Sequence, residues 1–401
     1  MPERLAVDGG TPVRDAMLPY GRQEIDEDDI RAVAEVLRSD FLTTGPEIAR
    51  FEEAFAGATG AEHAVAVSSG TAALHAALAT LDLAPGDEVV VPALTFAASA
   101  AAVVMNGARP VFADVDPRTL LLTAETLRPV LTPRTKAIVA VDYAGQPCDY
   151  EALRRATGGE LPVVADACHA LGATCRGRPV GTLADLSAFS LHPVKHVTSG
   201  EGGAITTDDA GAAARMRRFR NHGISADHRQ RAREGSWYYE VGSLGYNYRL
   251  TDFQAALGRS QLRRLPEWLE RRRALAADYR AALQDVDGFE PLESGADVAH
   301  AYHLFVIEVD DAVIEGGRDR VFAALRAEGI GVNVHYVPVH LHPFYRRVYG
   351  TAEGLAPVAE RAYRRILTLP LFPAMSDGDI GDVLTAIRKV ALALAPGRRN
   401  R

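Results

Sequence analysis

The residues best suited to chemistry lie in three short stretches of a 401-residue chain. In Phe189-Ser-Leu-His-Pro-Val-Lys195, ahead of the glycine-rich Gly200-Glu-Gly-Gly203, an amine sits in an apolar setting. Desolvation there lowers an amine's pKa and makes it a nucleophile toward a carbonyl, whereas most lysines are solvated surface groups. In Val163-Val-Ala-Asp-Ala-Cys-His169, Asp166 and His169 follow an apolar run that reads as a buried strand. A carboxylate at the carboxyl end of such a strand stands where open α/β sheets bind ligands, and it calls for a cationic or hydrogen-bonding partner. A helix cap for Asp166 and a satisfied core histidine for His169 are the alternatives. In Val67-Ser-Ser-Gly-Thr-Ala-Ala-Leu74 a strand gives way to a helix through small residues. Free amides and the positive end of the helix dipole make a phosphate cradle there, with hydroxyls from Ser69 and Thr71, although a plain turn has the same pattern. One ligand answers all three stretches. Pyridoxal phosphate brings a phosphate for the helix terminus, a basic ring nitrogen for the carboxylate and an aldehyde for the lysine.

The elements that must position these groups follow from periodicity. Helices are expected from Ile25, where carboxylates crowd the first turn, and from Pro46, with Ile48, Phe51 and Phe55 on one face. Strands at His63–Val67, Glu88–Val91, Pro110–Val115, Lys136–Val141 and Leu161–Ala165 then alternate with helices at Thr71–Leu81, Phe96–Met105, Ala124–Leu131 and Tyr150–Thr157. This rhythm predicts a mostly parallel sheet flanked by helices, an α/β architecture. Strands at Asp185–Leu191 and Gly203–Thr206 lie too close together for a helical crossover and are expected to run antiparallel to their neighbours. A long helical stretch, Thr251–Leu283, is interrupted by Pro266. Strands at Tyr302–Val309 and Val332–Val337 and helices at Arg320–Glu328 and Ile380–Leu394 complete a smaller α+β unit, and a mobile tail is expected from Ala395 to Arg401. The expected division is 18–250 for the large unit and 251–401 for the bridging helix and small C-terminal unit.

Composition narrows the function classes. Apolar residues make up 47% and charged residues 24%, as in an ordinary globular protein, and a net charge of -8 gives no electrostatic reason to expect nucleic acid. The basic run Arg271–Arg273 reads as a solvated helix face. Three cysteines without metal or disulfide spacing, no basic-then-apolar leader after Met1, and no apolar run of roughly 18 residues predict free thiols, no membrane span and a cytoplasmic protein. His335, His340 and His342 do not meet a metal-ligand spacing, so no metal is expected.

Ser68-Ser-Gly-Thr-Ala-Ala-Leu-His75, Asp166-Ala-Cys-His-Ala-Leu-Gly172, Phe189–Lys195, Gly200–Gly203 and Gly245-Tyr-Asn-Tyr-Arg-Leu-Thr-Asp-Phe-Gln-Ala-Ala256 resemble, in order, the DegT/DnrJ/EryC1/StrS sugar aminotransferases. The resemblance implies the fold type I architecture of pyridoxal-phosphate transferases, with a pyridoxamine form as intermediate. It implies that Lys195 forms the Schiff base and moves the proton, and that Asp166 keeps the ring nitrogen protonated. Phe96 would stack on the ring, His169 would contact the ring hydroxyl or the other face, and Ser69, Gly70, Thr71 and Ser190 would hold the phosphate. Asn247 would reach the phosphate of a neighbouring subunit, which makes a homodimer with shared sites the expected assembly, and His340 would lie near the sugar-nucleotide entrance. L-glutamate is the implied donor and a nucleotide-diphospho keto sugar the acceptor.

Tyr20-Gly-Arg-Gln23, Val141-Asp-Tyr-Ala-Gly-Gln-Pro-Cys148 and Gly331-Val-Asn-Val-His-Tyr-Val-Pro-Val-His340 resemble most the branch that aminates UDP-4-keto-6-deoxy-N-acetyl-altrosamine. The leader Leu5-Ala-Val-Asp-Gly-Gly-Thr-Pro-Val-Arg14 is more similar to members acting on antibiotic sugars and cyclitols, so a 3-keto sugar nucleotide, a dTDP-keto sugar and a keto-cyclitol are the competing acceptors. Lys195 argues against the deoxygenating relatives, in which histidine replaces the lysine. A regulator that binds the cofactor without turnover is the alternative from another class.

Overall fold

The computed structural model describes residues 4–224 and 235–395; residues 396–401 of the expected mobile tail lie outside them. Asp26 caps the first long helix, Glu27–Leu37, by accepting from the Asp29 amide while Asp29 accepts from the Asp26 amide. Pro46, with its φ already set for a helix, opens the second, Pro46–Thr59.

The strands that follow are β1 (His63–Val67), β2 (Glu88–Pro92), β3 (Arg109–Ala113), β4 (Thr135–Val141) and β5 (Val163–Asp166), then a two-residue hairpin, β6 (Thr174–Cys175) and β7 (Arg178–Pro179), and finally β8 (Leu186–Ser190) and β9 (Gly203–Thr207). All but the hairpin join one sheet in the order β1-β9-β8-β5-β4-β2-β3. β9 alone runs against its neighbours, β1 and β8. The expectation that both late strands are antiparallel therefore holds for β9 and fails for β8, which pairs parallel to β5. The reason is the hairpin and the turn at Val180–Thr182, which lie between β5 and β8 and return the chain to the end of the sheet where β5 began. β1, β2, β4, β5 and β8 are buried almost throughout, as expected for a sheet covered on both faces.

A second core gathers around β10 (Phe289–Pro291), β12 (Phe305–Val309) and β13 (Ile366–Leu369), which pair antiparallel, while β11 (Val298–Ala299) pairs with β6. The helices Asp252–Leu262 and Leu265–Leu283 connect the cores, with Pro266 in the first turn of the second. Leu265, Trp268 and Leu269 pack in the first core, and Leu275, Tyr279 and Leu283 in the second. Leu5 and Leu18 also pack in the second core, where Leu18 bridges to Ile330, so the N-terminal stretch belongs with the small unit.

Several local expectations give way here. Val332–Val337 is not a strand: Asn333 alone pairs with Thr368 of edge strand β13, and the chain then turns toward the main sheet. The strand expected from Tyr302 begins at Phe305 because Tyr302 adopts φ 47°, outside the extended region. Arg272, expected in a solvated face, is 2% exposed and donates to the carbonyls of Tyr302 and Leu371 at 3.1 and 2.9 Å. The helices Pro343–Tyr349 and Pro357–Arg365 and strand β13 had no sequence expectation. Each is short, and helix and strand patterns are ambiguous at that length.

Candidate active site

β5 ends at Asp166, β8 ends at Ser190, and the helix Gly70–Ala79 starts beside both. That closeness is written in the glycines. A Cβ on Gly70 would stand 2.9 Å from Ser190 Cβ and 3.2 Å from Cys168 Sγ, and one on Gly203 would stand 2.5 Å from the Ser69 carbonyl oxygen. Only hydrogen lets the backbones approach this far. Ser69 is the N-cap, its hydroxyl accepting from the Ala72 amide at 3.1 Å, which leaves Gly70 and Thr71 at the positive end of the helix. Gly70, Thr71, Ser69 and Ser190 thus form one polar cup.

Asp166 is 6% exposed. Its Oδ2 accepts from Ser99 Oγ at 2.6 Å and its Oδ1 from the Cys168 amide at 3.3 Å. Ser99 is itself 2.7 Å from Thr95 Oγ1, so the carboxylate is oriented by a two-hydroxyl relay. Among the described residues it has no ion-pair partner. A buried carboxylate held only by neutral donors is a place for a cation.

The loop after β8 carries Lys195. It is pinned at its base by the Leu191 amide on the Gly202 carbonyl (2.8 Å) and the Ser199 amide on the Leu191 carbonyl (3.0 Å). Desolvation holds the Lys195 amine below the ordinary lysine pKa, with Cys168 and Asp166 pulling the other way. Its Nζ lies 3.5 Å from His303 Nε2. Behind it the rings of His169 and His303 sit 4.5 Å apart, and His169 Nε2 is 3.1 Å from the Tyr336 hydroxyl. Burial, reinforced by Lys195, drives the pKa values of His169 and His303 well below that of an ordinary histidine, so both rings are neutral at pH 7. His335, lowered to about 4 by burial and by Lys195, is neutral too. Phe96, 57% exposed, faces Tyr336 at 5.7 Å between ring centroids.

The structure therefore brings Lys195, Asp166, His169, Ser69, Gly70, Thr71, Ser190 and Phe96 to one end of the sheet. Asn247 is exposed on the segment that bridges to Asn221. His340 does not join them. It is fully buried, with Nε2 2.8 Å from Glu360 Oε1 and its ring near Phe112, so the expected place at a substrate entrance is replaced by a core role. Ser99, His303, Tyr336 and Asp142 escaped the sequence reading. Ser99 carries a signal, a polar residue on the buried side of an apolar helix; the others reach the site only through long-range packing.

These residues fit pyridoxal phosphate: the cup matches a phosphate, the unpaired Asp166 a protonated ring nitrogen, and the desolvated amine an aldehyde. The buried Nδ1 atoms of His169 and His303 are both without a partner, which adds polar capacity beside the amine. Among the described residues no group of three His, Cys, Asp or Glu is arranged to hold a metal ion, and no helix is long and apolar enough to cross a membrane.

Comparison with known proteins agrees. Residues 23–388 match the DegT/DnrJ/EryC1/StrS aminotransferase family. The chain is 43% identical over 380 residues to the spore coat polysaccharide biosynthesis protein SpsC of Bacillus subtilis, covering 94% of this chain and 98% of that one. Spr1654 of Streptococcus pneumoniae, assigned as a sugar aminotransferase and solved in its PLP form, superposes with a TM-score of 0.88 at 30% identity, covering 94% of this chain and 99% of that one. Helicobacter pylori PseC, an aminotransferase involved in the biosynthesis of pseudoaminic acid, gives the same TM-score and identity and covers 94% and 100%. The chain belongs to the DegT/DnrJ/EryC1/StrS aminotransferase family and is a pyridoxal-phosphate-dependent sugar aminotransferase.

Proposed function

We propose that the enzyme takes an amino group from L-glutamate and delivers it to a nucleotide-linked 4-keto-6-deoxy sugar of the UDP-4-keto-6-deoxy-N-acetyl-altrosamine type. The observation that carries the amine transfer is the meeting of the Lys195 amine, the unpaired Asp166 carboxylate and the Gly70/Ser190 cup at one sheet end. Full-length similarity to PseC and the motifs around Tyr20, Val141 and Gly331 support the acceptor class. Bound pyridoxal phosphate supplies an aldehyde that links to amines and a ring that takes up the electron pair left by a departing proton.

The chain's residues supply the rest. The Gly70 and Thr71 amides and the Ser69 and Ser190 hydroxyls hold the phosphate. Asp166, fixed by Ser99, would pair with the ring nitrogen and favour its protonated form. Phe96 covers one ring face and His169 lies toward the ring hydroxyl or the other face. Lys195 would link to the cofactor aldehyde and, when not so linked, would serve as the base that takes and returns the substrate's proton; its lowered pKa leaves more free base for that task.

A second copy completes the site. Trp237 (86% exposed), Leu244 (76%) and Val241 (64%) precede Asn247, and Leu37 (58%) and Ile30 (52%) add apolar surface on the first long helix. Isolated apolar residues need no explanation, but a Trp, a Leu and a Val exposed within one short segment call for a cover. We assign that cover to a homodimer partner, whose phosphate Asn247 reaches, and expect a monomer to be inactive.

A spectral titration tests this reading. L-glutamate should bleach the visible band of the lysine-linked cofactor; after removal of donor, UDP-linked and dTDP-linked 4-keto sugars and a keto-cyclitol are offered in turn. Recovery with UDP-4-keto-6-deoxy-N-acetyl-altrosamine alone supports the stated acceptor. Recovery with a dTDP sugar or a cyclitol transfers the assignment to the class that the Leu5–Arg14 leader resembles. A band that glutamate never bleaches rejects glutamate as donor.

A further inference from the structure

His303 has no part in the roles given above, yet it is the side chain whose nitrogen meets the Lys195 amine, Nε2 to Nζ at 3.5 Å. It is 6% exposed and its backbone is held from several sides. The Ala301 amide donates to the Gly145 carbonyl (2.9 Å), the Leu304 amide to the Ala144 carbonyl (3.2 Å), and Arg272 to the Tyr302 carbonyl (3.1 Å). Gly145, at φ 109°, allows this approach: a Cβ there would stand 2.8 Å from both the Tyr302 nitrogen and the His169 carbonyl oxygen. Tyr302, immediately before His303, sits at φ 47°, an uncommon conformation for an aromatic residue, and its turn carries the next side chain toward Lys195. A bent, anchored backbone that delivers one imidazole to one amine is a positioning device.

We propose that His303 is a positioning residue for Lys195, its bare Nε2 accepting a hydrogen bond from the amine whenever that amine is not bonded to the cofactor. The inference rests on the reading of Lys195 as the cofactor-bonding amine. The groups facing His303 are Lys195, His169, His196 and Arg272, and those facing Lys195 from the other side are Cys168 and Asp166. His196 places its Nε2 3.0 Å from the Ala301 carbonyl and so donates there, and Arg272 donates to backbone carbonyls. Burial, with Lys195 and Arg272 adding to it, keeps His303 neutral; with the ring proton on Nδ1, Nε2 offers Lys195 a lone pair and no competing charge. A lysine stem has four rotatable bonds, and without a resting partner the freed amine would spread over several rotamers before returning to its carbonyl.

Two substitutions separate position from bulk. His303→Gln keeps a polar atom near the place of Nε2, and His303→Asn keeps one near the place of Nδ1. In the full-length chain freed of cofactor, Lys195 is acylated over a range of pH with an amine-reactive reagent and its modification is read by mass spectrometry. An acceptor for the ammonium form favours that form, so His303→Asn should lower the labelling midpoint by about one pH unit while His303→Gln stays near the native value. On adding pyridoxal phosphate, His303→Asn should also re-form the lysine link about tenfold more slowly. Unfolding curves check that each variant is folded, and His303→Leu replaces the Asn variant if that one does not fold. Equal midpoints for the non-accepting and accepting variants overturn the inference. The labelling needs no cofactor: an active enzyme with equal midpoints rejects this inference alone, and an inactive enzyme with the expected shift rejects the functional reading alone.

Discussion

Lys195 and Lys389 are both enclosed lysines, and what surrounds each one differs in kind. Lys389 donates to Glu328 Oε2 at 2.8 Å and to the Thr11 carbonyl at 2.6 Å. Glu328, fully buried, also accepts from the Ala6 amide at 2.8 Å and the Val13 amide at 3.1 Å. Both of its oxygens are occupied, and together the pair fastens the N-terminal stretch to the small core. Around Lys195 the counterpart carboxylate, Asp166, accepts from Ser99 and the Cys168 amide and has no ion-pair partner among the described residues, and His169 and His303 each keep a buried nitrogen without a partner. Burial penalises both carboxylates, and among the described residues only Glu328 is repaid by an ion pair. The first carboxylate is matched by a cation within the chain and acts as a fastening; the second is held by neutral donors and stands where a cationic group would be stabilised.

The comparison breaks most visibly if Lys195 proves structural. Lys195→Met should lower amine transfer by at least about a thousandfold, some 4 kcal/mol of transition-state stabilisation, while thermal unfolding stays level or moves upward. Single-turnover rates and melting curves read the two effects separately. Next in size, Glu328→Gln should cost about 3 kcal/mol in urea unfolding, because Lys389 remains buried with a weakened partner. The rate of amine transfer should stay within about twofold, since the clamp is remote from the sheet end.

The smallest effect sharpens the contrast within the site itself. Asp142 lies on the loop after β4, accepting at Oδ1 from the Tyr150 hydroxyl (2.6 Å) and the Cys148 amide (2.9 Å), with Oδ2 unpaired. Burial, with Asp166 nearby, raises its pKa to about 7 from 3.8. The folded chain then binds a proton that the unfolded chain has released, so stability is greatest at low pH and falls as pH rises from about 4 to about 7. Asp142→Asn should remove that slope, stabilising the protein by at least about 1 kcal/mol at pH 8 and progressively less toward pH 4. Unfolding measured across this range checks it; an unchanged slope would show that Asp142 stays ionised and paired.

The contrast between the two lysines is also a contrast in legibility. Lys195 was readable because its apolar run ends in a glycine-rich turn, a local pattern, and Asp166 because it ends a continuous apolar strand. Lys389 sits in a helix with nothing local to distinguish it, and its partner Glu328 is 61 residues away. Arg272 misled for the same reason: three consecutive arginines look solvated until a neighbouring segment closes over the middle one. His340 misled differently, since the resemblance singles out His340 while the fold sends Tyr336, four residues earlier, toward His169 and His340 into the core beside Glu360.

Sequence alone determined what short-range physics writes: alternating strands and helices with a covered sheet, the small-residue junction at Ser69–Thr71, and the strand-end placement of Asp166. Tertiary structure decided the direction of β8, the orientation of Asp166 by Ser99, the neutral histidines behind Lys195 and the split fates of Tyr336 and His340. Periodicity and capping depend on neighbours within a few residues and survive in one dimension. Burial, desolvation and the contact of His303 with Lys195 across 108 residues depend on which segments the fold brings together.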